Sequence, residues 1–169
     1  MSAELSLGVY EQLIEYVRTN QSKFYRIAYT HVTDEQLALD IVQESIYKAL
    51  TKYKTLKQPE YMQTWFYRIL INQCISAIRR QRFMHPLSTV ANEVKHTDYY
   101  HLDELNLHKK LNTLPTKIKA VIILHYFEQL TLQEISEITN TNLSTVKSRL
   151  YKGLSLLRLT FEKEGIYER

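Results

Sequence analysis

Glycine and proline are scarce in this chain, each occurring three times in 169 residues, and cysteine and tryptophan occur once each. So few breakers exclude an architecture of strands and tight turns. They favour long helices, as do the plentiful Leu, Ile, Glu, Lys and Gln. The single cysteine, Cys74, excludes an internal disulfide and fits a reducing compartment. Its neighbours Leu70, Ala77 and Ile78 mark it as a buried thiol. A charged-then-apolar leader is missing, and so is any apolar run near about 18 residues. Neither export nor membrane spanning is expected, and the chain reads as cytoplasmic.

Catalytic signatures are missing as well. The six His are scattered without a metal spacing such as H-E-x-x-H, and there is no Gly-rich phosphate loop. No Ser, His and Asp constellation can be argued from position. The expectation is a protein that is not an enzyme, with no cofactor and no metal. The net charge of +4 is mild, but its distribution is uneven. Residues 66–84 hold Arg68, Arg79, Arg80 and Arg82 with no acid, whereas residues 88–105 hold Glu93, Asp98, Asp103 and Glu104 against Lys95.

The expected fold class is all-α, with two small helical domains joined by a flexible linker. Residues 85–101, "HPLSTVANEVKHTDYYH", lack an apolar period and have linker composition. They separate a module over 5–84 from one over 102–169. In the first module the pattern predicts helices over 8–19, 21–32, 34–54 and 60–83. The third of these opens on "TDEQ", where Thr33 is placed to cap and Gln36 to reach back. In the second module helices are predicted over 102–112, 115–128, 132–139 and 143–163, with Pro115 at the front of one.

The polar stretch "TNTNLSTVKSRL", residues 139–150, interrupts this helical text. "TLQE" at 131–134 is a capping box, so a short helix starts there. Asn140 can take the left-handed conformation that closes it, and Asn142 can cap the next helix. A short helix, a tight turn and a longer basic helix make a helix-turn-helix. At 100° per residue Leu143, Val146, Leu150, Gly153 and Leu157 form one seam, Gly153 allowing close approach of a neighbour. The opposite face gathers Ser144, Lys147, Ser148, Tyr151, Lys152 and Ser155 without an acid, which suits a major groove. Arg149 lies nearer the seam, within range of Glu134, Glu137, a phosphate or a base.

Two further faces stand out. In "YMQTWFYRILINQCISAIRRQRF", Phe66, Leu70, Cys74, Ala77 and Ile78 form an apolar side. Trp65, Arg68, Asn72, Ser76 and Arg79 form a stripe on the other. An aromatic in a cationic row suits an unpaired strand, since base stacking is worth about 1–3 kcal/mol per base. Packing of Trp65 against a neighbouring helix is the competing account. The preceding loop "KTLKQPEYMQ" is placed to hold an extruded base. On the helix from Asp34, the residues Asp40, Gln43, Glu44 and Tyr47 form an acidic face opposite Ala38, Ile41, Val42, Ile46 and Ala49. Acid repels DNA, so this face either meets a basic protein surface or is simply solvated.

With these residues in view, the chain resembles the extracytoplasmic-function class of bacterial sigma factors, the dissociable specificity subunits of RNA polymerase. "ALDIVQESIYKAL" is similar to the segment by which that family grips the clamp helices of the polymerase β′ subunit. "TWFYRILINQCISAIRRQR" is similar to its promoter-melting helix. "LPTKIKAVIILHYFEQLTLQEISEITNTNLSTVKSRLYKG" is similar to its helix-turn-helix, which reads the minus-thirty-five element. The similarity spans nearly the full length.

The resemblance implies that Asp40, Gln43, Glu44 and Tyr47 contact polymerase. It implies that Pro59, Trp65, Arg68, Asn72, Ser76, Arg79 and Arg80 serve the minus-ten element. For the minus-thirty-five element it implies Ser144, Thr145, Lys147, Ser148, Arg149, Tyr151 and Lys152. The implied partners are core RNA polymerase through β′ and β, promoter DNA and an anti-sigma factor, with no small-molecule substrate. Ser136 and Asn140 stand where the family often has Ala and Gly. Gly153 replaces a usual Ala, at about 1 kcal/mol of helix propensity unless packing compensates, which would leave the far end of that helix soft. Two other functions remain compatible with the residues: a stand-alone operator-binding regulator and a helical adaptor that binds only proteins.

Overall fold

The computed structural model describes residues 3–84 and 102–163, which are helical with short turns between. The chain divides into two compact units, 1–88 and 89–169. The expected linker over 85–101 lies outside the described residues. The first unit comprises α1 (Ala3–Val32), α2 (Glu35–Lys52) and α3 (Met62–Met84). Two 3-10 turns, Tyr53–Thr55 and Pro59–Tyr61, lie between α2 and α3. The second comprises α4 (Leu102–Asn112), α5 (Thr116–Ile122), a π-helical turn (Ile123–Phe127), α6 (Leu132–Thr139) and α7 (Leu143–Lys163). No described helix is long and apolar enough to cross a membrane.

In the first unit an aromatic cluster joins α1 to α3. Phe24 and Phe66 stack with ring centroids 4.3 Å apart, and Tyr16 and Tyr67 meet them edge-on or tilted. Such pairs add about 0.5–1.5 kcal/mol beyond the area they bury. Leu13, Leu70, Ile71 and Cys74 complete this core, all fully buried, so the single thiol is where its neighbours placed it. Ser45 joins the buried seam of α2 because its hydroxyl donates to the Ile41 carbonyl at 2.7 Å, which satisfies that hydroxyl within the core.

Three local expectations are corrected. The predicted break between residues 19 and 21 does not exist: α1 runs through, and Asn20 donates its side-chain amide to the Tyr16 carbonyl at 2.8 Å instead of interrupting the helix. The cap of α2 is Asp34, whose carboxylate accepts from the Leu37 amide at 2.7 Å. Thr33 instead takes a left-handed φ of 55°, closing α1 through its amide on the Tyr29 carbonyl, and Gln36 turns to Asp40. A two-residue link between long helices needs this reversal, and the adjoining carboxylate then caps. Finally, the helix predicted over 115–128 widens after Ile122, with the Glu128 amide reaching back to Ile123 and Gln129 at φ 54°. The wider turn buries Leu124 and Leu130 and leaves Tyr126 and Phe127 exposed.

The second unit is built on α7 packed against α5 and α6. Ile135, Ile138, Val121, Leu124 and Val146 are fully buried. Two buried lysines tie its elements together: Lys110 of α4 lies over the Phe161 ring of α7 at 4.1 Å, and Lys119 of α5 donates to Asn112 at 3.0 Å. Gly153 is buried facing α5, where a Cβ would lie 2.8 Å from Ile118 Cγ2 and 2.9 Å from Ile122 Cγ1. Close packing at Gly153 is thus available to offset its poor propensity, and α7 continues beyond it to Lys163.

Gly153→Ala tests this contact. The methyl gains about 1 kcal/mol of helix propensity but overpacks Ile118 and Ile122 at about 1–3 kcal/mol. The expected net effect is a loss of about 1 kcal/mol, read as a lower urea midpoint by far-UV circular dichroism; a higher midpoint contradicts the close approach.

Candidate nucleic-acid interface

The helix-turn-helix is assembled by short-range hydrogen bonds. Thr131 caps α6: its hydroxyl accepts from the Glu134 amide at 3.2 Å while the Glu134 carboxylate accepts from the Thr131 amide at 2.8 Å, closing the capping box. Asn140 ends the helix in the left-handed region, φ 47° and ψ 50°. The Asn140 amide returns to the Glu137 carbonyl and the Thr141 amide to the Ser136 carbonyl, which is a Schellman closure. Asn142 then caps α7, its side-chain oxygen accepting from the Thr145 amide at 2.8 Å and from the Ser144 hydroxyl at 2.9 Å.

Packing fixes which side of α7 faces outward. Val146, Leu150, Gly153 and Leu157 are buried, while Leu143 is half-buried. Ser144, Lys147, Ser148, Tyr151, Lys152 and Ser155 are exposed, Tyr151 at 69%. Thr145 is half-buried at the first turn. Arg149 is half-buried too, and its guanidinium donates to Thr141 Oγ1 at 3.2 Å. Thr141 is a residue that sequence spacing did not single out.

In the first unit, Arg68, Asn72 and Arg79 are exposed along α3 and Ser76 is half-buried, so the stripe faces solvent. Trp65 is half-buried at its head, and its indole N–H donates to Thr55 Oγ1 at 3.2 Å, fastening the turn after α2 to α3. Pro59 is exposed in that connection. Beside it Tyr61, exposed at 57%, presents an aromatic ring that helical periodicity alone did not pick out. Its signal was available in its position two residues after Pro59.

Asp40, Gln43, Glu44 and Tyr47 are all exposed on α2, Tyr47 at 64%. Glu44 pairs with Lys48 at 3.3 Å, and Asp40 accepts from Gln36 at 3.1 Å. Two surfaces that looked separate in sequence meet here. Asp40 and Glu44 form one wall of a groove of about 740 Å³ whose other wall carries Ser76, Arg79 and Arg80. The tail of the basic stripe thus faces the acidic helix, while Trp65, Arg68 and Asn72 lie outside that lining.

Comparison with known proteins matches these units to two family models, Sigma-70 region 2 over residues 16–84 and Sigma-70, region 4 over residues 104–157. The RNA polymerase sigma factor SigV of Bacillus subtilis (strain 168) is 39% identical over 155 residues, covering 91% of this chain and 93% of that protein. The ECF RNA polymerase sigma factor SigW of the same organism is 29% identical, covering 92% of this chain and 91% of that protein. Among solved structures, the sigma factor RpoE in complex with the anti-sigma factor NepR, from Bartonella quintana, shares the fold with a TM-score of 0.77 at 19% identity, covering 92% of this chain and 97% of that one. CnrH in complex with the cytosolic domain of CnrY matches with a TM-score of 0.70 at 16% identity, covering 94% of this chain and 96% of that one. With both regions present in order and a relative of that identity spanning nearly the whole chain, the protein belongs to the sigma-70 family of sigma factors, in its extracytoplasmic-function class.

Proposed function

We propose that this chain is an alternative sigma factor that binds core RNA polymerase and directs promoter-specific initiation. The observation that carries this reading is the pairing, on one chain, of a capped helix-turn-helix whose α7 face from Ser144 to Ser155 has no acid with a first unit presenting an acidic helix and an aromatic-headed cationic stripe. A regulator that binds only operator duplex has no use for the first unit's faces. The acidic face of α2, with Asp40, Gln43, Glu44 and Tyr47, is assigned to the β′ clamp helices, because complementary charge steers and orients such encounters. A further contact on the β subunit belongs to the same reading.

The minus-ten assignment goes to the connection around Pro59 and to Trp65, Arg68, Asn72, Ser76, Arg79 and Arg80. A half-buried aromatic at the head of an exposed cationic row suits unpaired bases, through stacking and phosphate attraction. Promoter opening then needs no covalent step from this chain, only capture of the melted strand, and the RNA chemistry belongs to polymerase. The minus-thirty-five assignment goes to Ser144, Thr145, Lys147, Ser148, Tyr151 and Lys152, on a helix face shaped for the major groove. Two modest sites on one chain gain affinity through effective concentration. The site of action is the cytoplasm, where polymerase works. An anti-sigma partner is proposed because the structural neighbour RpoE is held in a complex with the anti-sigma factor NepR.

Mixing the purified chain with core polymerase tests the assignment directly. Co-elution with transcription from a melted promoter supports a sigma factor, duplex binding without co-elution supports the stand-alone regulator, and the absence of both supports an adaptor. Asp40→Ala is expected to weaken association with core by roughly 1 kcal/mol while leaving duplex binding unchanged. Lys152→Ala is expected to do the reverse, lowering the slope of log affinity against log salt by about 0.9 if it meets a phosphate. Equal damage by both variants at the same step contradicts the division of labour. Arg68→Ala is expected to lose on the order of tenfold in affinity for a single-stranded oligonucleotide in the polymerase complex, with duplex binding retained.

A further inference from the structure

Arg149 was expected at the DNA surface, yet its hydrogen bond points back to the turn. The Arg149 Nη1–H donates to Thr141 Oγ1 at 3.2 Å. The Thr141 hydroxyl in turn reaches Thr139, its carbonyl at 3.0 Å and its Oγ1 at 2.8 Å, and the Thr139 hydroxyl donates to the Ile135 carbonyl at 2.7 Å. Proton counting is consistent along this relay. Thr139 spends its single O–H on Ile135 and accepts from Thr141, and Thr141 accepts from the guanidinium.

Thr141 is also the residue whose amide closes the Schellman turn on the Ser136 carbonyl. Two residues before it, Thr139 ends α6; eight residues after it, Arg149 lies in the second turn of α7. The relay therefore spans the last turn of α6, the left-handed Asn140 and the body of α7. We propose that Arg149 is a positioning residue that clamps the turn to the recognition helix and sets the angle at which Lys147, Tyr151 and Lys152 meet duplex, acting through Thr141 rather than on a base or phosphate. This rests on the reading of α7 as the major-groove helix.

The rival role, a phosphate contact, makes a different prediction because it releases counterions. The experiment uses the full chain with Arg149→Met, Thr141→Val and both together, each checked for helical content by circular dichroism. Binding is measured, across a salt series, to a duplex that the wild-type chain has selected from a randomised pool. A clamp predicts that each single variant weakens binding on the order of tenfold, the size of one lost hydrogen bond to a charged group, and that the double variant is no worse than either. It also predicts an unchanged salt slope. A slope lowered by about 0.9 in Arg149→Met, with the two substitutions multiplying, overturns the clamp in favour of a phosphate contact.

A second arm reads the clamp without DNA. Amide hydrogen exchange over residues 139–146 of the free chain is expected to accelerate several-fold, and alike, in both single variants; unchanged exchange overturns the proposal. If the wild-type chain selects no duplex, the promoter-reading assignment of α7 falls, and the clamp is then decided by the exchange arm alone.

Discussion

Packing fixes the rotation of each helix about its own axis, and in this chain that rotation decides what reaches solvent. Burying Val146, Leu150 and Leu157, with Gly153 pressed on Ile118 and Ile122, leaves α7 one orientation. Each large apolar side chain so buried contributes about 1.5–3 kcal/mol, which a few exposed lysines cannot outweigh. Lys147, Ser148, Tyr151 and Lys152 are presented outward as a consequence. The same argument holds for α2, where Ala38, Ile41, Val42, Ser45 and Ala49 go inward and Asp40, Gln43, Glu44 and Tyr47 remain outside. A slip of one residue along either seam would turn the outward face through about 100°.

The first unit places opposite charges close together without merging them into a buried pair. Asp40 and Glu44 stand across a groove from Arg79 and Arg80, and both sides stay exposed. Even in direct contact, charges this exposed contribute little to stability, about 0–1 kcal/mol per pair. The groove presents an acidic wall beside a basic one to solvent. Trp65 marks the other end of α3, where its link to Thr55 holds the connection that carries Pro59 and Tyr61.

Local chemistry was legible where a side chain had one clearly favoured backbone partner within about four residues. The capping box of Thr131 and Glu134, the left-handed Asn140 and the Asn142 cap all follow from side chains reaching adjacent backbone. Legibility failed where the chain had two local options of similar energy. Asn20 can break a helix or bond back along it, and Thr33 and Asp34 can each cap; packing of α1 on α2 and α3 selected one outcome in each case. The π-helical turn was invisible because its pattern reads as helix until Leu130 must also be buried.

Composition and periodicity alone determined the all-helical class, the helix-turn-helix and the identity of the outward faces on α2, α3 and α7, because scarce breakers and a 3.6-residue period leave few alternatives. Tertiary structure decided the contacts between residues distant along a helix or on different elements. It brought Trp65 to Thr55, Arg149 to Thr141, and the acidic wall of α2 to the arginines of α3. The physical reason is that such contacts depend on helix rotation and crossing geometry, which arise from the fit of buried side chains and are encoded in no single stretch of sequence.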